Sequence, residues 1–273
     1  MANDVALSSA IRNNLLSLQK TQHLVDRTQS RMATGLRVSS VLDDARAFFE
    51  AKALSDKASD MTEKKEGIDQ AVNTVSTALE AVESLDSMVK QMRGIAISAK
   101  SATGNELQLL EGQFNTLRTQ INNLTLDAAY QGTNLVNGTG TAFIIQFSTD
   151  TTSKMTIQSV DLTNATTGMS IATAANWTVG TNIENAITGL DAAISTLRGQ
   201  AQSLGSNVAL LTTRLDFTQK YVNELEGGAA KLTVADINEE GANLVALQVR
   251  QQLGMNALAF AGQAEQAVLQ LFR

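Results

Sequence analysis

Proline is absent from this sequence, where average usage of about 5% would supply roughly 14 in a chain of this length. Proline breaks helix interiors by removing an N–H and colliding with the preceding turn, so its absence permits uninterrupted helices. Cysteine is also absent, and there is one histidine, His23. A cysteine- or histidine-based metal site therefore lacks ligands, a Ser-His-Asp triad would have to use that one imidazole, and the missing thiols are silent on redox compartment. Tryptophan occurs once, tyrosine twice, and aromatics make up 4% of residues, while 43% are hydrophobic. Apolar content carried by Ala, Leu, Val and Ile suits thin helix–helix seams better than one thick core. Net charge is −6, with no Lys/Arg run of the kind that neutralises phosphates, which argues against nucleic-acid binding. No stretch has the 18 or so consecutive apolar residues of a membrane span, and the first thirty residues lack the apolar core of a secretory signal. Any export is expected to use another route.

What is present is a long seven-residue repeat. Leu54, Met61, Ile68, Val75, Val82, Val89 and Ala96 follow one another at that spacing, the pattern that keeps one seam against a partner helix. A helix from about 42 to about 100 would be roughly 90 Å long. Ser40-Val41-Leu42-Asp43 reads as a capping box, with Asp43 and Asp44 favourably placed at the positive helix end. Gly104-Asn105 marks a turn, after which Leu107, Leu110, Phe114, Leu117, Ile121 and Leu124 define a second, shorter helix. Ile187, Leu190, Ile194, Leu197, Leu204, Val208, Leu211, Leu215, Val222 and Leu225 define a third, weakened at Ala201 and Thr218. The expected fold is mainly α: an elongated antiparallel coiled-coil bundle with a small β-hairpin insertion and a paired terminal helical domain.

The terminal segments are thinner. Ile11, Leu18, Val25 and Met32 are seven apart, with Leu7, Leu15 and Leu16 beside them. Leu244, Leu247, Leu258, Ala261, Val268 and Leu271 share a seam interrupted by Gln251, Gly254 and Glu265. Thr34-Gly35 and Gly227-Gly228 read as breaks separating these ends from the rest. Seams this weak are marginal alone, so the ends are expected to pair with each other, to leave apolar surface for further copies, and to order on polymerisation. The chain divides into 1–40 and 229–273 as halves of a terminal coiled-coil domain, 41–137 and 182–228 as rod helices, and 138–181 as a β-rich insertion with strands near 143–147 and 155–160.

Three motifs resemble one family. Arg31-Met32-Ala33-Thr34-Gly35-Leu36-Arg37-Val38-Ser39-Ser40 followed by Asp43-Asp44-Ala45 resembles the bacterial flagellin pattern R-L-S-S-G-x-R-I-N-S-A-x-D-D-A-A. Gln251-Gln252-Leu253-Gly254 and the closing Val268-Leu269-Gln270-Leu271-Phe272-Arg273 are similar to its Q-x-L-x-Q-A-G and V-L-S-L-F-R. Tyr130-Gln131-Gly132-Thr133-Asn134-Leu135-Val136 is similar to F-N-G-x-x-L-L. Arg31, Gly35, Arg37, Ser40, Asp43 and Asp44 are the matched positions of the first motif. The resemblance implies a non-enzymatic, cofactor-free structural subunit whose ends, Leu7 to Met32 and Leu244 to Arg273, pair as an inner tube with the rod around it.

It further implies partners: many copies of the chain in a helical filament, the flagellar type III export apparatus, the filament cap and junction proteins, and an export chaperone. The location implied is the extracellular flagellum, reached without a cleaved signal peptide. No membrane insertion is expected, and the short insertion implies a smooth filament surface. Flagellins sensed by the toll-like receptor carry an Arg and a Glu where this chain aligns Gln91 and Gln120, which implies weak recognition. The four Asn-x-Ser/Thr triplets at Asn123, Asn137, Asn164 and Asn176 are of a kind frequent by chance, and O-linked sugars within 139–181 are possible by resemblance alone. The competing readings are a hook–filament junction protein, with related ends, and a cytosolic coiled-coil adaptor, which would account for the heptads but not the motifs.

Overall fold

In a computed structural model the described residues are 9–138 and 142–271. They form α1 (Ser9–Thr34), α2 (Ala45–Ala99), α3 (Asn105–Asp127), β1 (Ala129–Tyr130), β2 (Thr133–Asn134), β3 (Phe143–Gln146), β4 (Lys154–Ile157), α4 (Gly180–Thr233) and α5 (Ile237–Leu271). The fold is mainly α, with two antiparallel two-stranded hairpins, β1–β2 and β3–β4. Two compact units result, one within Met1–Lys57 and Glu224–Arg273, the other Ala58–Asn223.

The second unit carries the thick part of the core. The heptad residues of α2 do what their spacing predicts: Ile68, Val75, Val82, Val89 and Ala96 are wholly buried, against Phe114 and Ile121 of α3 and Leu190, Leu197, Leu204 and Leu211 of α4. The hairpin β3–β4 pairs Phe143 with Ile157 and Gln146 with Lys154, placing Ile145 and Ile157 inward. Its strands are shorter than the 143–147 and 155–160 expected. At the turn of β1–β2, Gln131 and Gly132 both have positive φ, 46° and 81°, as the tight turn favoured in hairpins requires. The Tyr130-Gln131-Gly132 motif is therefore a turn motif.

Residues 161–177 contribute more to this unit than a β-rich insertion would. The segment is an extended strap whose Leu162, Met169, Ile171, Ala174 and Trp177 enter the same core, with Trp177 edge-on to Phe114 at 5.0 Å. Polar side chains of α3 hold its backbone. Asn115 donates to Ala174 O at 3.1 Å and accepts from Ala174 N at 2.9 Å, Arg118 Nε donates to Ile171 O at 2.8 Å, and Glu111 accepts from Trp177 N at 2.7 Å. The start of the strap bridges to the chain at Val136 and Asn137, the Leu162 amide donating to Val136 O at 2.9 Å, and a turn over 163–170 bonds internally. Beyond it the backbone has no ladder and must find its hydrogen bonds elsewhere, where α3 supplies those at Ile171, Ala174 and Trp177. Asn164, the head of one Asn-x-Thr triplet, is buried and donates to Arg118 O.

Two expected boundaries move. Helix α2 begins at Ala45 rather than near 42, because Asp44 is the capping residue: its Oδ1 accepts the Ala47 amide at 3.0 Å. Gly227-Gly228 does not break the chain; α4 runs through it to Thr233. A glycine costs about 1 kcal/mol in a helix interior, and packing overrides that here, since a Cβ on Gly228 would stand 3.3 Å from Leu54 Cδ1. The real interruption lies at 234–236. No helix among the described residues is long and apolar enough to cross a membrane.

Candidate functional site

The first unit is built on α1 lying antiparallel to α5, held together at a joint formed by the first family motif. Helix α1 stops at Gly35, which takes φ 69° while its amide closes on Arg31 O at 2.8 Å. That left-handed conformation ends many helices and suits glycine. The chain then runs beside the α4–α5 connection. Arg37 and Val38 amides both donate to Thr233 O, at 2.7 and 3.2 Å, and the Ala235 amide donates to Gly35 O at 3.0 Å. The Arg37 guanidinium adds a bond to Leu232 O at 2.9 Å.

Asp43 closes the turn before α2. Its Oδ2 accepts from the Ser39 and Ser40 amides at 3.1 and 2.9 Å, and from both hydroxyls at 3.1 Å. Those donors, the Ser40 amide foremost and then the Ser39 amide, hold its carboxyl below the usual carboxylate value. The Ser40–Asp43 capping box is thus only half formed. Asp43 returns to the Ser40 amide as a box requires, but the Ser40 hydroxyl also donates to Asp43 and the helix starts two residues later. On the other side of the joint, Asp236 Oδ1 accepts the Asn238 amide at 2.8 Å and caps α5. Arg31, Gly35, Arg37, Ser40, Asp43 and Asp44 are thereby brought to one place, each with a structural task.

Along the helix pair, Ile11 and Val25 are buried, while Leu18, Met32, Leu244, Leu247, Leu258 and Ala261 are half-buried. Leu15 is exposed at 42%, off the seam. Leu7, Phe272 and Arg273 lie outside the described residues, and so do the side chains of Val268 and Leu271. His23 is exposed on α1, away from the joint. Gln91 and Gln120 belong to the other unit, exposed on α2 and α3 respectively.

Two of the three interruptions of the α5 seam, Gln251 and Gly254, prove to be contacts, and the side chain of the third, Glu265, lies outside the described residues. Gln251 Nε2 donates to Gln22 Oε1 at 2.7 Å. Gly254 seats Leu18 so closely that a Cβ would stand 2.7 Å from Leu18 Cδ2. A third contact was not foreseen at all: Arg31 Nη1 meets Glu240 Oε1 at 2.9 Å, with 9% of the Glu240 side chain exposed. The Arg-to-Glu spacing of 209 residues leaves no local pattern that could have announced it.

Sequence reasoning also missed the outer side of α5. Val245, Val249, Leu253 and Phe260 are exposed by 60, 55, 63 and 70%. At 100° per residue they cluster on the flank opposite Leu247, Leu258 and Ala261. The signal was available in the spacing of 245, 249, 253 and 260. It was hidden because α5 is apolar on two sides and so has no dominant face.

Comparison with known proteins agrees with this geometry. The model of the bacterial flagellin N-terminal helical region matches residues 5–141, and that of the bacterial flagellin C-terminal helical region matches 181–272. Flagellin FljM of Caulobacter vibrioides is 29% identical over 279 residues, covering 99% of each chain. A flagellin of Brucella melitensis is 28% identical over 282 residues, covering 100% of each. A flagellar hook-associated protein of Vibrio parahaemolyticus shares the fold, with a TM-score of 0.57 at 14% identity over 69% of this chain and 99% of its own. The two family models meet the chain on the segments that build the joint and the helix pair, and the matched relatives are flagellins from end to end. The chain belongs to the bacterial flagellin family.

Proposed function

We propose that this chain is the structural subunit of a bacterial flagellar filament, serving motility, and that it polymerises with copies of itself through the outer flank of α5. The observation that carries the assembly route is that flank: Val245, Val249, Leu253 and Phe260 form an apolar stripe, exposed in the single chain, on a helix whose other side is already engaged with α1. Contiguous exposed apolar surface marks an interaction site. A helical polymer needs heterologous, non-closing contacts between different patches of neighbouring copies, and a helix apolar on two sides can serve one subunit internally and the next externally. The terminal residues Leu7, Val268, Leu271, Phe272 and Arg273 are assigned to the same assembly region by resemblance to the family.

The junction-protein reading is not favoured: the Vibrio structure shares the fold only, whereas the relatives matched over the full chain are flagellins. A cytosolic adaptor leaves the family matches without explanation. By the family's logic the subunit is exported through the type III apparatus with a chaperone, meets the cap and junction proteins outside the cell, and acts there without catalysis or cofactor. Gln91 and Gln120 carry no charge where receptor-active flagellins have an Arg and a Glu, so toll-like receptor recognition is weak in this reading. A strong reporter response to purified subunit would overturn that part.

Seeded polymerisation followed by electron microscopy tests the whole. Unaltered chain is expected to elongate seeds into tubes. Leu253→Glu, at a position 63% exposed and off the α1 side, is expected to stop growth while leaving the helical circular dichroism of the subunit unchanged. Normal tubes from Leu253→Glu would remove α5's outer flank from the interface, and the absence of tubes from unaltered chain under all conditions would overturn the filament assignment.

A further inference from the structure

Leu42 is exposed at 97%, more than any other large hydrophobic side chain among the described residues, and Val41 beside it at 42%. Both stand in the turn between α1 and α2. Asp43 and Asp44 follow, and each commits one carboxylate oxygen to the joint. Asp43 Oδ2 accepts from Ser39 and Ser40, and Asp44 Oδ1 accepts the Ala47 amide. The other oxygen of each has no hydrogen bond among the described residues, and neither acid forms an ion pair there. The turn is an apolar knob with two open carboxylates at its base.

A groove of the matching chemistry lies on the other unit, between α4 and the β3–β4 hairpin. It encloses about 850 Å³, with apolar walls from Phe147, Ala209, Leu210 and Phe217. Leu210 and Phe217 are exposed by 51 and 56%. Arg214 stands over two of those walls, its guanidinium carbon 4.9 Å from the centre of the Phe147 ring and 5.5 Å from that of Phe217. It donates to Ser153 Oγ at 3.2 Å. Lys154 lines the same groove and is exposed. Neither cation meets a carboxylate among the described residues. In a chain of net charge −6, two uncompensated cations at an apolar groove favour a visitor that is both apolar and acidic. Arginine and aromatic side chains are also those enriched at the centre of interfaces.

We infer that Leu42 of one copy seats in the α4–hairpin groove of the next, with Asp43 and Asp44 set against Arg214 and Lys154. The inference rests on the filament reading and adds to it a second contact besides α5's outer flank. Two observations select a second copy as the occupant. Leu42 is almost wholly exposed, so it does not fill the groove of its own chain. The same chain carries both halves, so every copy offers a knob to one neighbour and a groove to another. A contact between unlike patches need not close on itself, and repeated from copy to copy it propagates an open polymer. Burial of the leucine supplies the attraction, while the exposed charges steer the encounter and fix its direction.

The absence of cysteine makes disulfide trapping a clean measure of proximity. Leu42→Cys with Ala209→Cys, oxidised in filaments, is expected to give an intermolecular ladder that dilute subunit does not give. Filaments without a ladder overturn the inference, as does a cross-link closed within single chains. Seeded growth is the second measure. Leu42→Ser alters a side chain that supports nothing in the folded subunit, so melting should be unchanged while the critical concentration rises at least about tenfold. An unchanged critical concentration overturns the contact.

Leu42→Lys sets a cation against Arg214 and Lys154 and should impair growth further. Adding Lys154→Glu should recover it by at least about tenfold. If the cysteine-bearing chain does not grow, this pair decides: recovery supports the knob and groove, and no recovery overturns them. Normal tubes from Leu42→Lys remove this contact and leave the filament reading standing, whereas unaltered chain that never elongates seeds overturns both.

Discussion

Gly254→Ala sets two opposed effects against each other at one atom. In a helix interior, replacing glycine by alanine is worth about 1 kcal/mol through backbone entropy. At Gly254 the added Cβ would stand 2.7 Å from Leu18 Cδ2 and 3.1 Å from Leu18 Cγ. Relief cannot come from swinging a chain tip, because Cγ is the branch point; either χ1 turns or the helices part. A side chain held some 30° off its rotamer costs about 0.5–1.5 kcal/mol, and overpacking a seam costs about 1–3 kcal/mol. The clash therefore outweighs the entropy gain, and the helix pair should lose up to about 2 kcal/mol.

Gly262 is the internal control, since it lies on the same helix and a Cβ there meets nothing within 4 Å. Gly262→Ala should stabilise by about 1 kcal/mol. Hydrogen exchange of the α1 amides, with melting followed by circular dichroism, reads the difference. About 1.4 kcal/mol is a tenfold change in opening equilibrium, so Gly254→Ala should exchange roughly tenfold or more faster than Gly262→Ala. Adding Leu18→Ala to Gly254→Ala should remove most of the gap. Equal stabilisation by both alanines would show that Leu18 does not sit in that hole, and the packing argument would fall.

Removing either partner of the ion pair should have unequal effects. Arg31→Met strands Glu240, whose side chain is 9% exposed, while Glu240→Gln leaves an arginine that is 23% exposed; the first should cost up to about 3 kcal/mol and the second clearly less. Denaturant unfolding checks the order, and the reverse order refutes it. The joint should respond to acid through Asp43. Its folded pKa lies below the ordinary 3.8, so its contribution is present above the unfolded value and is lost as pH falls through the folded one. The Ser39 and Ser40 amide resonances should therefore titrate below pH 3.8, and a midpoint at or above that value contradicts the carboxylate's role. The strap depends on Asn115, so Asn115→Leu should cost about 1–3 kcal/mol by orphaning the Ala174 amide and carbonyl. The emission of Trp177, the only tryptophan in the chain, should move to the red, and unchanged emission would mean that the strap is held by its apolar contacts alone.

What could be read from the sequence, and what could not, divides by the range of the physics. Helices α2, α3 and α4 were legible because a seven-residue repeat is a local statement about one face, and the wholly buried Ile68, Val75, Val82 and Val89 are the residues that the repeat names. The break at Gly227-Gly228 was misread because local propensity favours it, while the close passage of Leu54, a contact more than 170 residues away, overrules it. The strap was illegible for a related reason: past one bridge at Asn137–Asp161 and a turn over 163–170, its backbone at 171–177 is held by Glu111, Asn115 and Arg118 of α3, not by any repeating ladder. At the chain ends the same division takes a more useful form. Read locally, Gln251 and Gly254 are flaws in an apolar seam. Placed against Gln22 and Leu18, they are its most specific members, since an unbroken seven-residue repeat is consistent with every seven-residue slip. A perfect seam would hold the ends together without specifying their alignment; the joint specifies it, through the backbone bonds of Gly35 with Ala235 and of Arg37 and Val38 with Thr233. The alignment of the ends is therefore legible only from long-range partners, the joint's backbone bonds and the contacts of Gln251 and Gly254, and from no local repeat.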